Sequence, residues 1–295
     1  MKNLPKRPEK SLKKNIKNAD EKPFKVNYYS DELNDDFAEI AKEHVKLPDD
    51  YEYGKKRGVL WKANSFILYY GIAYPIVTLY NKLVHGEKIK NRKVLKGYKK
   101  EGFFLYGNHT MKAADAFTPP RIIYPKRMNI LVSPDAVAKP VVSDLVERFG
   151  GIPVASSLKT MRNFSGEMKK LSEENKAVII YPEAHIWPYY TGIRPFKDAS
   201  FKYPAEENKP VFCFTRVFKK RAFRKRPKAV IYVDGPFLPK PEYTVKENQK
   251  YLRDCVYEAM KRRAKQSNEE YIKYVKERTD DGTDGGDSVQ GNAKD

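Results

Sequence analysis

His109 and Asp115 are the residues of this chain best placed in sequence to move a proton. They stand in Gly107-Asn108-His109-Thr110-Met111-Lys112-Ala113-Ala114-Asp115, directly after the apolar run Phe103-Phe104-Leu105-Tyr106. That run reads as a short buried strand. Polar residues just beyond a strand end sit where open α/β sheets hold their ligands. Imidazole titrates near neutral pH, so it can take a proton from an alcohol, and a carboxylate can hold its ring in one tautomer. A second strand-end punctuation follows residues 177–181, where Pro182 stops the run and Glu183 and His185 come next.

The elements that must position these groups follow from periodicity. Strands are expected at 102–106, 129–132, 177–181, 210–214 and 229–233, and helices at 111–123, 136–149, 159–174 and 245–276. Strands alternating with helices of this length predict an α/β domain, a mostly parallel central sheet flanked by helices. Residues 63–81 carry no charge, and their length is close to the roughly 20 residues that cross a bilayer as a helix. Asn64 and Asn81 shorten the apolar part, Pro75 kinks it, and tyrosines recur along it. Tyrosine favours the water–lipid boundary. The leading expectation is a helix or kinked helix pair lying in the membrane interface, with a core helix and a true span as alternatives. The chain thus divides into a basic, largely flexible region (1–52), a membrane-associating helical segment (53–98), a catalytic domain (99–242), a C-terminal helix (243–278) and a disordered tail (279–295).

Composition narrows the setting. Lysine and arginine number 58 against 38 acidic residues, a net charge of +20. Such a surplus attracts polyanions: nucleic acid, an anionic membrane face or an acidic carrier protein. Residues 216–228 hold eight cations and no acid, with Phe218 and Phe223 among them. Aromatic rings between cations favour membrane contact, and a solvated loop is the alternative. Cys213 and Cys255 form no disulfide framework or metal-ligand spacing, which suits a reducing, cytoplasmic setting. The first thirty residues lack the apolar stretch of a secretory signal, and no internal repeat is present.

Four segments in order resemble the glycerolipid acyltransferase family, the PlsC-like 1-acylglycerol-3-phosphate acyltransferases. Asn108, His109 and Asp115 match an Asn-His-x4-Asp block, with five intervening residues instead of four. Gly151-Ile152-Pro153-Val154 partly matches a Gly-x-Ile-Phe-Ile block, Tyr181-Pro182-Glu183 a Phe-Pro-Glu block, and Lys209-Pro210-Val211 a Pro-Ile-Val-Pro strand. The stretch from Arg194 to Phe201 is similar to the family's Phe-Lys-x-Gly-Ala-Phe segment. The resemblance covers about two fifths of the chain, residues 102–215. A loop over 110–112 before the helix would absorb the extra residue; a helix already begun there would turn Asp115 away. Ala184-His185-Ile186 replaces the family's Gly-Thr-Arg, and Ser156 stands near the place of the second-block arginine.

The resemblance implies acyl transfer from a thioester to the hydroxyl of a lysophospholipid such as 1-acylglycerol-3-phosphate, in phospholipid biosynthesis at the cytoplasmic face of a membrane. His109 would be the general base and Asp115 its orienting group, with no metal or cofactor. Acyl-CoA or acyl carrier protein would be the co-substrate. Asn108, Gly151 and Glu183 fall with the acceptor-binding residues. Phosphate binding passes to Lys159, Arg162 and Arg194, with Arg194 ranked above Lys159 because its planar fork makes paired hydrogen bonds. The implied partners are an anionic membrane surface, the lysophospholipid and an acyl carrier protein, without nucleic acid. Two other readings stand beside it. One is a basic nucleic-acid-binding protein, though no nucleic-acid motif is present. The other is a metal hydrolase built on His109, Asp115, Glu183 and His185.

Overall fold

The computed structural model describes residues 23–38, 45–55 and 57–277. Of the largely flexible basic region expected at 1–52, residues 1–22 and 39–44 lie outside the described residues, as does the disordered tail expected at 279–295. At the centre is a seven-stranded sheet of order β2-β8-β7-β3-β6-β4-β5. Its strands are β2 (Lys88–Lys90), β3 (Phe103–Gly107), β4 (Met128–Val132), β5 (Gly151–Pro153), β6 (Ala177–Ile180), β7 (Val211–Lys219) and β8 (Lys228–Phe237). Every pairing is parallel except β7 with β8. β1 (Lys25–Tyr29) pairs in parallel with β9 (Ile272–Lys276) in a separate two-stranded sheet. The expected α/β class, with a mostly parallel sheet flanked by helices, is the one observed.

β3 and β6 are buried along their whole length. Helices cover both faces of the sheet, so these strands read as unbroken apolar runs with no alternation. Successive residues still point to opposite sides. Phe104 and Tyr106 pack into one core with Phe164 and Met168 of α5 (Leu158–Glu173) and, past the short α6 (Lys202–Glu206), with Leu252 and Val256 of α7 (Val245–Ala264). Phe103 and Leu105 enter the other core, with Tyr69 and with Ile122 of α3 (Ala114–Ile123). Both long helices open on reciprocal caps, Ser157 with Thr160 and Thr244 with Glu247, which satisfy amide groups the first turn leaves free.

The uncharged segment forms a helix from Val59 to Leu83: α1 (Val59–Phe66), a π-helical stretch (Ile67–Ala73) and α2 (Tyr74–Leu83). Pro75 does not break it. The proline falls in the first turn after the π stretch, whose wider hydrogen-bond ladder accommodates the missing donor. Ser65, Tyr69 and Asn81 face inward, while Leu60, Phe66, Ile67, Ile76, Leu79 and Leu83 are exposed. No helix among the described residues is long and apolar enough to cross a membrane.

Three expectations need correction. The C-terminal helix stops at Ala264, and the chain returns as β9 instead of remaining helical to residue 276. Ser267 and Asn268 make the break, because they bond the backbone of Phe218 from either side. Tyr271 is then buried and Tyr274 stacks on Trp187. The helix expected at 136–149 divides into a 3-10 turn (Pro134–Val137) and α4 (Pro140–Arg148), since a proline disfavours helical backbone before it. β7 and β8 run well past their expected ends, so the first part of the cationic run is strand and only its middle is loop. Phe218 is accordingly buried and leaves Phe223 alone as an exposed ring.

α4 joins β5 through Gly150, whose φ is +82° and whose absent Cβ would stand 2.0 Å from the Met128 carbonyl oxygen. Gly150→Ala combines positive-φ strain with a backbone clash, and is expected to cost about 2–4 kcal/mol. A denaturant midpoint equal to wild type would overturn that account.

Candidate active site

β3 lies between β6 and β7 in the middle of the sheet, and Gly107 ends it. A Cβ on Gly107 would meet the Phe214 ring at 2.2 Å and the Tyr181 ring at 2.8 Å, so the absence of a side chain lets both rings close over the strand end. Asn108 then fastens the chain to β7. Its Oδ1 accepts the Arg216 N–H (2.7 Å) and its Nδ2 donates to the Arg216 carbonyl (3.1 Å).

The next residue is the base candidate. The His109 N–H donates to Glu183 Oε2 at 2.8 Å, and its ring stacks on Tyr181 with centroids 4.4 Å apart and planes 18° apart. Residues 110–113 form a loop, α3 begins at Ala114, and Asp115 falls in its first turn. Asp115 Oδ2 lies 2.8 Å from His109 Nδ1 and also accepts the Met111 N–H at 2.8 Å. The extra residue between His109 and Asp115 is therefore absorbed in the loop, and the two side chains meet. The His109 side chain is 17% exposed and that of Asp115 1%. With Nδ1–H held on the carboxylate, the lone pair of Nε2 is the one left to act as a base.

Behind Asp115 lies a network that sequence reasoning missed. Arg216, fully buried in β7, donates from Nη2 to Asp115 Oδ1 (3.1 Å) and Thr118 Oγ1 (2.8 Å). Its Nη1 reaches Glu87 Oε2 at 3.3 Å. Glu87 also accepts the Thr118 hydroxyl at 2.6 Å and pairs with the Arg121 guanidinium. Two carboxylates and two guanidinium groups thus share one buried pocket with their charges matched. Burial opposes the Arg216 charge, but Asp115 and Glu87 outweigh it and raise its pKa above the ordinary arginine value. Tyr181 donates its hydroxyl to the Asp115 carbonyl. Burial, and then the Asp115 charge, push its phenol well above the usual range.

The signal for Arg216 was present in sequence. A single cation between the apolar residues Val211–Thr215 and Val217-Phe218 is a buried charge that needs a partner. It reads instead as the first member of the cationic run. Glu87 carries no comparable signal.

Glu183 and Arg194 form a second clamp. Glu183 Oε1 accepts the Arg194 N–H at 3.0 Å while Oε2 holds His109, and burial raises its pKa. The Arg194 guanidinium donates to the carbonyls of Glu183 and His185 and stacks over Trp187 at 5.0 Å. It is 1% exposed. The expectation that Arg194 leads phosphate binding is corrected on this ground: its donors face backbone carbonyls in a buried loop. Lys159 and Arg162 are exposed on the first turns of α5, which follows the edge strand β5. That strand is three steps from β3, about 14 Å across the sheet. Gly151 opens β5, and its missing side chain makes room for Val146 Cγ1, which a Cβ would meet at 2.2 Å. The fold brings together Asn108, His109, Asp115, Glu183 and Arg194, and leaves Gly151, Lys159 and Arg162 at the sheet edge.

His185 turns toward Asp36, with Nδ1 3.4 Å from Oδ2. Among the described residues, no three or more His, Cys, Asp or Glu side chains are grouped to hold a metal ion. A cavity of about 470 Å³ lined by Leu95, Tyr98, Phe103, Ile122 and Tyr124 opens at the far ends of β3 and α3 from His109.

The arrangement is a strand-end imidazole backed by a buried carboxylate in an α/β fold. Residues 83–214, from the end of α2 into β7, match the family model for acyltransferases. It is the family expected from the four sequence segments. The fold is that of the 1-acyl-sn-glycerophosphate (LPA) acyltransferase PlsC from Thermotoga maritima, whose crystal structure superposes with a TM-score of 0.50 at 13% identity. The match covers 72% of this chain and 98% of that one. No curated protein matches the sequence.

Removing Arg216 leaves Asp115 without its guanidinium partner and two buried carboxylates with Arg121 as the one remaining arginine of the cluster. Arg216→Gln is expected to lose about 3–5 kcal/mol, the usual cost of breaking a buried ion pair. Adding Glu87→Gln should recover part of it, because the residues are directly coupled. Strictly additive losses in urea melts of the single and double variants would refute the coupling.

Proposed function

We propose that this protein transfers a fatty acyl group from a thioester to the hydroxyl of a lysophospholipid of the 1-acylglycerol-3-phosphate type. The observation that carries the reading is the 2.8 Å contact between His109 Nδ1 and Asp115, which leaves Nε2 on the open side. Nε2 takes the proton of the acceptor hydroxyl as its oxygen forms a bond to the thioester carbonyl carbon. The tetrahedral adduct then collapses, the C–S bond breaks, and the thiolate takes the proton back from the imidazolium. The products are an ester and a free thiol, and no acyl-enzyme is formed. Asp115 stabilises the transient imidazolium, and Arg216 holds Asp115 in place.

Stacking on Tyr181 and the Glu183 bond to the His109 amide fix the ring before substrate arrives. Pre-positioning of this kind leaves little reorganisation for the reaction step. Of the three cations expected at the acceptor phosphate, Lys159 and Arg162 retain exposed charge.

The outward face of the Val59–Leu83 helix supports action at a lipid surface. Phe66, Ile67, Ile76, Leu79 and Leu83 are each about three-fifths exposed, and Leu60 is 87% exposed. Lys62 and Lys82 flank them. An amphipathic helix with an apolar face and flanking cations lies in the headgroup boundary of an anionic bilayer. The proposed location is the cytoplasmic face of a membrane, where anionic lipid attracts a chain of charge +20.

His109→Ala is expected to reduce acyl transfer by about 10²–10⁴-fold, the ordinary worth of general-base assistance. Asp115→Asn should fall with it, because an amide can present its NH2 to Nδ1 and impose the wrong tautomer. Mass spectrometry of lysolipid and thioester mixtures reads both, and full transfer by His109→Ala would remove the mechanism. Separately, Ile76→Glu with Leu79→Glu should lower co-flotation with anionic vesicles at least about tenfold, since each buried aliphatic side chain contributes about 1.5–3 kcal/mol. Unchanged flotation would reject this helix as the lipid contact.

A further inference from the structure

The cationic hairpin between β7 and β8 is not used by the mechanism above, yet it borders the site. β7 is the neighbour of β3 and runs parallel to it, with Phe214 opposite Gly107. It continues five residues further, to Lys219, about 16 Å beyond the end of β3. The hairpin therefore rises over the same edge of the sheet as His109, on the side opposite Lys159 and Arg162. The hairpin is tied to the His109 loop by packing. Met111 and Ala114 of the His109 loop pack against Phe218, and Tyr189 closes the cluster with its ring 5.2 Å from that of Phe218.

At the top, the hairpin and the end of α2 enclose a basin of about 650 Å³ lined by Lys82, Leu83, Val84, Arg221, Arg224, Lys225 and Arg226. Five of these seven lining residues are cations, and they come from two separate elements. Arg221 is fixed by donating to the Val84 carbonyl (3.1 Å) and the Leu83 carbonyl (3.4 Å), the free acceptors that end α2. Arg224, Lys225 and Arg226 are exposed and have no carboxylate partner among the described residues. Nearby His85 has its pKa lowered to about 4, first by burial and then by Arg216, Arg226 and Arg221, as a net positive field requires.

We propose that this basin anchors the nucleotide phosphates of the acyl donor, a coenzyme A thioester whose pantetheine arm passes Tyr189 and carries the carbonyl to His109. The inference rests on the acyl-transfer reading and adds to it the donor class and the donor site. Two properties select this ligand. First, about thirteen bonds separate the thioester sulfur from the first phosphorus, equivalent to between four and five residues of extended chain, or about 15 Å. The hairpin stands off from the end of β3 by a matching distance. Second, a 3′-phospho-nucleoside diphosphate concentrates three phosphates in one small volume, whereas the arm of a carrier protein ends in a single phosphodiester. The exposed guanidinium forks of Arg224 and Arg226 suit the denser charge.

The test uses the full chain with Arg224→Ala and Arg226→Ala together, two exposed residues outside the catalytic network. The KM for an acyl-CoA should rise about tenfold or more, as loss of charged hydrogen bonds entails, with kcat and the lysophospholipid KM unchanged. Wild type should discriminate against the acyl thioesters of dephospho-CoA and of pantetheine, and the variant should lose that discrimination. A rise confined to the lysophospholipid KM, a loss confined to vesicle flotation, or a loss confined to transfer from acyl carrier protein would each overturn the proposal. Calorimetric titration of CoA, dephospho-CoA and pantetheine separates this idea from the function it rests on. Should wild type transfer acyl from no thioester, the function falls, while CoA binding that the double variant loses still supports the basin. Absence of CoA binding to wild type sinks it.

Discussion

Arg216 sits in the sheet interior with Asp115 on one side and Glu87 on the other, and no water-facing route exists for its charge. A buried guanidinium is tolerated only where its charge is matched. That requirement fixes three separate pieces of chain at once: the start of α3 through Asp115 and Thr118, the turn before β2 through Glu87, and β7 through Arg216 itself. The pair of His109 and Asp115 is the outermost layer of this arrangement. A carboxylate with one oxygen on an arginine and the other on an imidazole cannot rotate without breaking both contacts. The fixed position of the His109 ring thus comes from charge matching two layers behind it.

The loops around the site follow a common plan, in which a buried polar side chain caps backbone that the sheet has released. Asn108 ties the chain leaving β3 to β7, and Glu183 ties it to the segment after β6. Parallel strands end with unpaired amides at this edge, and buried amides must find acceptors. Here the acceptors are side chains whose positions also determine where His109 points. Arg194 belongs to the same plan, since its donors satisfy the carbonyls of Glu183 and His185.

Much of this was legible in the chain. Unbroken apolar runs at β3, β6 and the start of β7 announced strands covered on both faces, and the polar residues following them marked the working edge. What escaped depended on contacts far apart in sequence. Arg194 looked like a phosphate ligand because a planar fork suits phosphate, but the same fork suits a pair of carbonyls, and only the closure of the loop over Trp187 decides between them. Arg216 was hidden in a crowd of like charges. The return of the chain after α7 was masked by charged residues that suit an exposed helix as well as a two-stranded ribbon, where Tyr271 and Tyr274 supply the buried face.

The π-helical stretch from Ile67 to Ala73 carries a geometric consequence of its own. A widened turn holds one more residue than an α-helical turn, and each residue advances the helix by about 100°. The stretch therefore acts as a phase shifter between two docking surfaces. Upstream, Trp61 and Ser65 are bonded to Asp144 and Arg148 of α4; downstream, Asn81 is bonded to Thr118 of α3. Wound instead as a regular α-helix, the same residues would swing everything after them by roughly a quarter-turn. Asn81 would then leave Thr118, and the greasy outer stripe would rotate toward the protein.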